Sequence, residues 1–157
     1  MNDLTIENSA KAVIIQDDSV LLIRYEDTSD MGLGTWYSLP GGRQRFGETL
    51  EETLLRECEE ELGAKVSVGR LLFVREYIHT RHELAETGRN QHKIELMFLC
   101  SLESMLRDAL ESDSDQESVE WVKLDQLPEI KVFPTNLRKL HELLKHDKAN
   151  PYWGDVY

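Results

Sequence analysis

Residues 42–64 read GRQRFGETLEETLLRECEEELGA. Thr49 with Glu52 three residues later has the form of a capping box, and Gly63 stands where a helix stops. The spacing therefore predicts a helix between them. Four of the five residues from Glu57 to Glu61 are glutamates. Like charges this dense destabilise a helix unless something neutralises them. At about 100° per residue, Glu57 and Glu61 share one face, with Glu60 beside them. Leu50, Leu54, Cys58 and Leu62 form the apolar stripe, and the three carboxylates flank it. Clustered oxygen donors suit a hard divalent cation such as Mg²⁺; structural zinc would want Cys and His. A cation at such a site bridges phosphate oxygens and acidifies a bound water. Taken alone, a Glu-rich helix also reads as a solvated acidic face.

Outward from this stretch, strands are expected. Ala12 to Ile15 and Val20 to Tyr25 are apolar and β-branched, with Gln16 to Ser19 between them as a hairpin turn. Asp27 to Thr35 reads as a loop, and Trp36 to Leu39 as a strand ending in the turn Pro40-Gly41-Gly42. Val66 to Tyr77 reads as a strand pair or one long bent strand. His79 to Gln91 is polar and reads as a loop. Lys93 to Leu102 has the apolar content of a central strand. Ser112 to Glu117 reads as a solvated acidic connection, and Ser118 to Leu124 as another strand. A second helix is expected over Asn136 to His146, with Leu137, Leu140, Leu143 and Leu144 on one face. Strands interspersed with two helices suggest a mixed sheet covered by helices.

The chain has 157 residues, 40% apolar and 31% charged, which is one ordinary domain, residues 1–157, with its own core. No apolar run approaches the roughly 20 residues of a membrane span. The first residues lack the pattern of a secretion signal, so a cytoplasmic location and no membrane partner are expected. Cys58 and Cys100 make no disulfide framework and read as two buried thiols. The net charge of −12 repels nucleic acid. A small anionic substrate would need arginines or bound cations to offset that field.

The segment Gly42 to Ala64 resembles the Nudix box, G-x5-E-x7-R-E-U-x-E-E-x-G-U, where U is a bulky aliphatic. Gly42, Glu48, Arg56, Glu57, Glu60, Glu61 and Gly63 match at the correct spacing. A chance match of seven positions is on the order of one in 100,000. Cys58 and Ala64 are smaller than the usual U residues and should pack inward. Trp36 to Gly42 resembles the family's approach to the box, and Glu120-Trp121 with Leu124 to Leu127 a late strand and turn. The resemblance implies an α/β fold: a Nudix-type α/β/α sandwich with a mixed β-sheet and a catalytic loop-helix-loop. It implies a pyrophosphohydrolase with Mg²⁺ or Mn²⁺ as cofactor. Glu57, Glu60 and Glu61 would bind the metal, and the Gly42 carbonyl would add a ligand. Glu48 and Arg56 would pair to orient the helix, completing the catalytic set. The general base would be Glu60 or Glu61, or a residue outside the box such as Glu103, Glu83 or Glu86; these last three also read as surface charges. Phosphate contacts are expected from among Arg43, Arg45, Arg75 and Arg81.

The implied substrate is a small phosphorylated molecule, a nucleoside diphosphate linked to another group. A region about 15 positions beyond the box, His79 to Arg81, lacks the proline of many ADP-ribose enzymes and the tyrosine of diadenosine polyphosphate enzymes. A coenzyme A signature is not evident. Nucleoside triphosphates and nucleotide sugars stay open. The alternative is a non-catalytic nucleotide sensor; such relatives usually lose box glutamates, and this chain keeps all of them. An isoprenoid diphosphate isomerase lacks support, because the cysteine and glutamate setting for it is missing. The five histidines show no zinc spacing. Trp36, Tyr37, Phe46 and Tyr77 are candidates to stack a base, but core packing is expected for most of them. Asn150 to Tyr157 is expected to close over a neighbour or a partner subunit, and homodimers are common in similar proteins.

Overall fold

The computed structural model describes residues 4–27, 34–82, 90–105, 117–146 and 150–157. Strands β1 (Ile6–Gln16) and β2 (Ser19–Asp27) form the expected antiparallel hairpin. Its turn residues Asp17 and Asp18 both have positive φ, 51° and 56°. That is the turn geometry whose twist matches the flanking strands, and Asp tolerates it. From this hairpin the sheet grows in two directions. Strands β3 (Gly34–Ser38) and β7 (Glu117–Lys123) flank β2 antiparallel, and β8 (Val132–Phe133) joins β3 in parallel. Strand β6 (His92–Met105) lies parallel to β1 and antiparallel to β5 (Ala64–Ile78). The shorter β4 (Gly41–Arg43) pairs with β1, and β9 (Tyr152–Asp155) runs parallel to β5.

Alternating side chains of β1 and β2 explain why the sheet is covered on both faces. Ala10, Ala12, Ile14 and Leu21 meet Leu54, Cys58 and Leu62 of helix α1 (Leu50–Leu62). Val13, Val20 and Leu22 point the other way, onto Leu137 and Leu140. Period-2 alternation with both faces apolar calls for a layer on each side. The result is the α/β/α sandwich with a mixed sheet. Cys58 and Ala64 pack inward as expected, and both thiols are buried and free.

Several elements differ from their sequence reading. Pro40-Gly41-Gly42 does not simply turn, because Gly41 and Gly42 begin β4. Of the two readings for Val66 to Tyr77, the single long strand holds, with register shifts near Lys65, Val68 and Leu71. The expected single helix over Asn136 to His146 is a 3₁₀ segment (Thr135–Lys139) followed by the short α2 (Leu140–Lys145). Buried Leu137 and Leu140 are three apart, the repeat of a 3₁₀ helix, so that geometry buries both. Of the predicted loops, residues 28–33, 83–89 and 112–116 lie outside the described residues. Among those described, no helix is long and apolar enough to cross a membrane.

Truncating Leu54, fully buried against β1, should cost about 2–5 kcal/mol. Thr49→Ala removes only one cap and should cost about 1 kcal/mol. Urea unfolding of both variants checks the order; equal costs would mean that α1 is not held by its buried face.

Candidate active site

Helix α1 begins as its sequence requires. The Thr49 hydroxyl accepts the Glu52 N–H at 3.1 Å, and the Glu52 carboxylate accepts the Thr49 N–H at 2.7 Å. Gly63 ends the helix at φ 58°, in the left-handed conformation that favours glycine. With both ends fixed and Leu54, Cys58 and Leu62 buried, the glutamates are held at the helix edge that faces β4.

Arg56 organises that edge. Its Nε donates to Glu48 Oε1 at 2.6 Å and an Nη donates to Glu48 Oε2 at 3.0 Å, a bidentate pair. The other Nη donates to Glu57 at 2.8 Å and to Glu60 at 3.4 Å. The Arg43 carbonyl accepts a further bond at 3.1 Å. Glu48 also accepts the Arg45 N–H and the Thr53 hydroxyl, each at 3.0 Å. Arg56, with those two donors, holds the Glu48 carboxyl down at about 2. The loop ahead of the helix is thus tied to the middle of the helix by one guanidinium.

Glu57 and Glu61 approach the Gly41-Gly42 backbone. A Cβ at Gly42 would lie 2.5 Å from the Glu57 carboxyl carbon, so that carboxylate occupies space a side chain would fill. Glu61 Oε1 accepts the Gly41 N–H at 3.3 Å. A Cβ at Gly41 would lie 2.1 Å from the Ala10 carbonyl, so glycine alone lets β4 rest on β1. Burial, then the hydrogen-bonded Glu57 carboxylate, pushes the Glu61 carboxyl well above the usual carboxylate range, with Lys11 opposing. Two carboxylates in contact hold a proton or a cation between them. The all-oxygen donor set and the cradle at Gly42 fit a hard divalent cation. Glu60 stands apart from the other two, half-exposed and paired with Arg56 and, at 3.9 Å, with Arg45. Accordingly, no cluster of three His, Cys, Asp or Glu side chains stands ready for a metal among the described residues.

The remaining expected residues are scattered. Arg43 is exposed and pairs with Glu7 at 2.8 Å. Arg45 is exposed beside Glu60, and Arg81 is exposed near Asp155. Arg75 is buried in β5 and pairs with Glu95 of β6 at 2.7 Å. Lys11 is in register with both Gly41 and Met97, and Glu103 lies six residues beyond Met97. At 3.3 Å per residue that is roughly 20 Å along β6 from Met97, at the end where Ser104 pairs with Lys65 just past α1. The Glu103 carboxylate accepts from the Ser67 hydroxyl. Glu83 and Glu86 lie outside the described residues.

Beside the box lies a hollow of about 220 Å³ lined by Trp36, Tyr77, Phe133 and Tyr157 over Arg75 and Glu95. Trp36 and Tyr77 therefore wall a cavity instead of filling the core, and Phe46 is fully exposed. Only Tyr37 of the four aromatics packs against the core. Glu95 was not singled out by sequence, although a charge inside the apolar run from Lys93 to Leu102 is a signal. Burial works against its ionisation, but Arg75 and then Lys11 outweigh it and lower its pKa.

Fold and site together define a sandwich protein whose acidic helix edge is pressed onto a glycine turn. The NUDIX domain model matches residues 6–144, and the chain belongs to this family. It is similar to Nudix hydrolase 6 of Arabidopsis thaliana, 31% identical over 107 residues, which cover 68% of this chain and 35% of that protein. An ADP-ribose pyrophosphatase of Methanocaldococcus jannaschii is 28% identical over 118 residues, 75% of this chain and 62% of that protein. The chain thus spans less than two thirds of the length of these relatives. Among solved structures, a NUDIX hydrolase from Nitrosomonas europaea shares the fold with TM-score 0.70 at 19% identity, over 94% of this chain and 93% of that one.

Glu48 has a depressed pKa, so its contribution to stability is present above the unfolded carboxylate value of about 4.3 and is lost as pH falls toward 2. Glu48→Gln should lower the Tm at pH 7, and the gap to wild type should shrink steadily below about pH 4. A Tm gap independent of pH would show that the Glu48–Arg56 pairing does not carry the effect.

Proposed function

We propose that this protein is a divalent-cation-dependent Nudix pyrophosphohydrolase. Its substrate is a nucleoside diphosphate linked to another group, either a nucleoside triphosphate or a nucleotide sugar. One observation carries the reading: Glu57 is seated in the space that Gly42 leaves empty, against the part-buried Glu61. Two carboxylates pressed together there need a proton or a cation between them, and a divalent cation fits the all-oxygen donors. When bound, Mg²⁺ or Mn²⁺ would neutralise phosphate charge and acidify a water. Glu57 and Glu61 would bind the cation, with Glu60 and the Gly42 carbonyl as further ligands. Arg56, fixed by Glu48, orients Glu57 through its hydrogen bond. Proton acceptance falls to Glu60 or Glu61. We assign a phosphate contact to Arg45, which is exposed beside Glu60. The name of the M. jannaschii relative makes ADP-ribose a substrate to include in any screen.

A phosphate-release screen over nucleoside triphosphates and nucleotide sugars, with Mg²⁺ or Mn²⁺, tests this. Glu57→Gln and Glu61→Gln should lose at least 100-fold in kcat, the scale of removing a group that stabilises transition-state charge. Glu48→Gln should lose roughly 10–100-fold, as expected for a residue acting through a ligand. EDTA should abolish turnover and added Mg²⁺ restore it. Full activity in both Glu57→Gln and Glu61→Gln would overturn the site assignment. A wild type that binds nucleotides and cleaves none would be a sensor.

A further inference from the structure

Side chains alternate along β1, so Lys11 faces the side of the sheet opposite α1, together with Ser9 and Val13. Both of those are buried, and Lys11 itself is half-buried. Its register partners are Gly41 of β4 and Met97 of β6, and Met97 is fully buried. An ammonium set among such neighbours needs a polar destination. It carries three donors. Among the described residues it makes no direct ion pair, and its one hydrogen bond runs to the Gly41 carbonyl at 3.5 Å. The Gly41 N–H donates to Glu61 at 3.3 Å, so Lys11 and Glu61 hold the two polar groups of one residue. Glu95 lies two residues before Met97 on β6 and therefore on the face of Lys11. Burial, then Glu57, raises the Glu61 carboxyl, and the Lys11 charge opposes them. Burial also works against an ionised Glu95, and Arg75 and then Lys11 counter it. The ammonium therefore acts on two carboxylates and is bonded to neither.

A lysine serving the fold alone would close on Glu61 or Glu95, because a half-buried charge gains most from a direct partner. Lys11 instead lines a hollow of about 220 Å³ with Ser38, Arg75 and Glu95. The arginines of the region are already bound. Arg75 donates to Glu95 at 2.7 Å and to the Val156 carbonyl at 2.5 Å. Arg43 pairs with Glu7 at 2.8 Å, and Arg56 bonds Glu48 and Glu57. Lys11 keeps unused donors next to the residue that Glu61 bonds. A lysine ammonium is a compact point charge, and it meets phosphate oxygens without the fixed fork of a guanidinium. In a chain of net charge −12, a diphosphate brought up to Glu61 meets a repulsive field. A cation between Glu57 and Glu61 offsets part of it, and an ammonium already in place beside them offsets more.

We infer that Lys11 is a further catalytic residue of this site, its ammonium bonding non-bridging oxygens of the diphosphate on the Gly41 side of the carboxylate pair. That the anion is a substrate rests on the hydrolase reading, but the contact is tested without turnover. Methylene-bisphosphonate has a P–C–P bridge that water does not cleave, and it is titrated calorimetrically into the full chain with Mg²⁺ present. Lys11→Met should weaken its binding roughly 10-fold or more, the scale of one charge-assisted hydrogen bond. Lys11→Gln repeats the test with a polar end in place of an apolar one, and Lys11→Arg, which keeps the charge, should bind more tightly than either. A second titration with Mn²⁺ alone separates phosphate contact from metal positioning. Its affinity in Lys11→Met should equal that of wild type or exceed it, since a positive charge has been removed. Wild-type affinity for the bisphosphonate in both neutral variants would overturn the inference. So would a wild type that does not bind it, or an equal loss of Mn²⁺ binding. If the bisphosphonate binds in this Lys11-dependent way while the phosphate-release screen stays blank, the hydrolase reading falls and the diphosphate contact stands. If nucleotides are cleaved and Lys11→Met matches wild type in kcat/KM, the Lys11 assignment falls and the hydrolase reading stands.

Discussion

Two adjacent positions without side chains, Gly41 and Gly42, set the terms for everything around them. The first lets a backbone strand lie so close to β1 that a methyl group would collide with the Ala10 carbonyl. The second leaves room for the Glu57 carboxylate. Helix α1 can therefore come down onto the turn with its acidic edge first. The buried stripe of Leu54, Cys58 and Leu62 provides the force that drives it there. Charge repulsion among the glutamates opposes this, and Arg56 offsets it by bonding Glu48, Glu57 and Glu60 at once. Hydrophobic docking, missing side chains and one guanidinium act together, and none of them alone positions the site.

Much of this was legible before any coordinates. The hairpin, the capped helix, the central strand and a mixed sheet covered by helices follow from periodicity and punctuation, which are local, while the α/β/α layering was what the family resemblance implied. The box residues match by spacing, and Glu48 pairs with Arg56 as the resemblance implied. What escaped the sequence depends on contacts across the sheet. Arg75 and Glu95 are 20 residues apart and become partners only through the β5–β6 register. Glu103 was a candidate base because it follows a central strand, and its bond from the Ser67 hydroxyl likewise arises only from the β5–β6 pairing. Glu60 belongs to the motif by position, yet its side chain follows Arg56 and Arg45. The aromatics were assigned to the core on average behaviour, which does not register that β3 and β5 leave a gap between them.

The second helix is instructive in a different way. Its leucines fit a 3.6-residue stripe as well as a three-residue one over so short a span. Packing chose between them, because Leu137 and Leu140 both had to reach the face of the sheet opposite α1. Local pattern proposed an element there, and tertiary burial decided its winding.

Cys58 and Cys100 illustrate how the same packing can be read from outside. Cys58 on the buried face of α1 and Cys100 on β6 share one apolar cluster, at 0% and 3% exposure. No reagent in solution reaches Cys58 while the helix is docked. Its labelling by a small thiol-directed probe would clock how often α1 lifts from the sheet, so the molecule carries an intrinsic reporter on the element that bears its acidic edge.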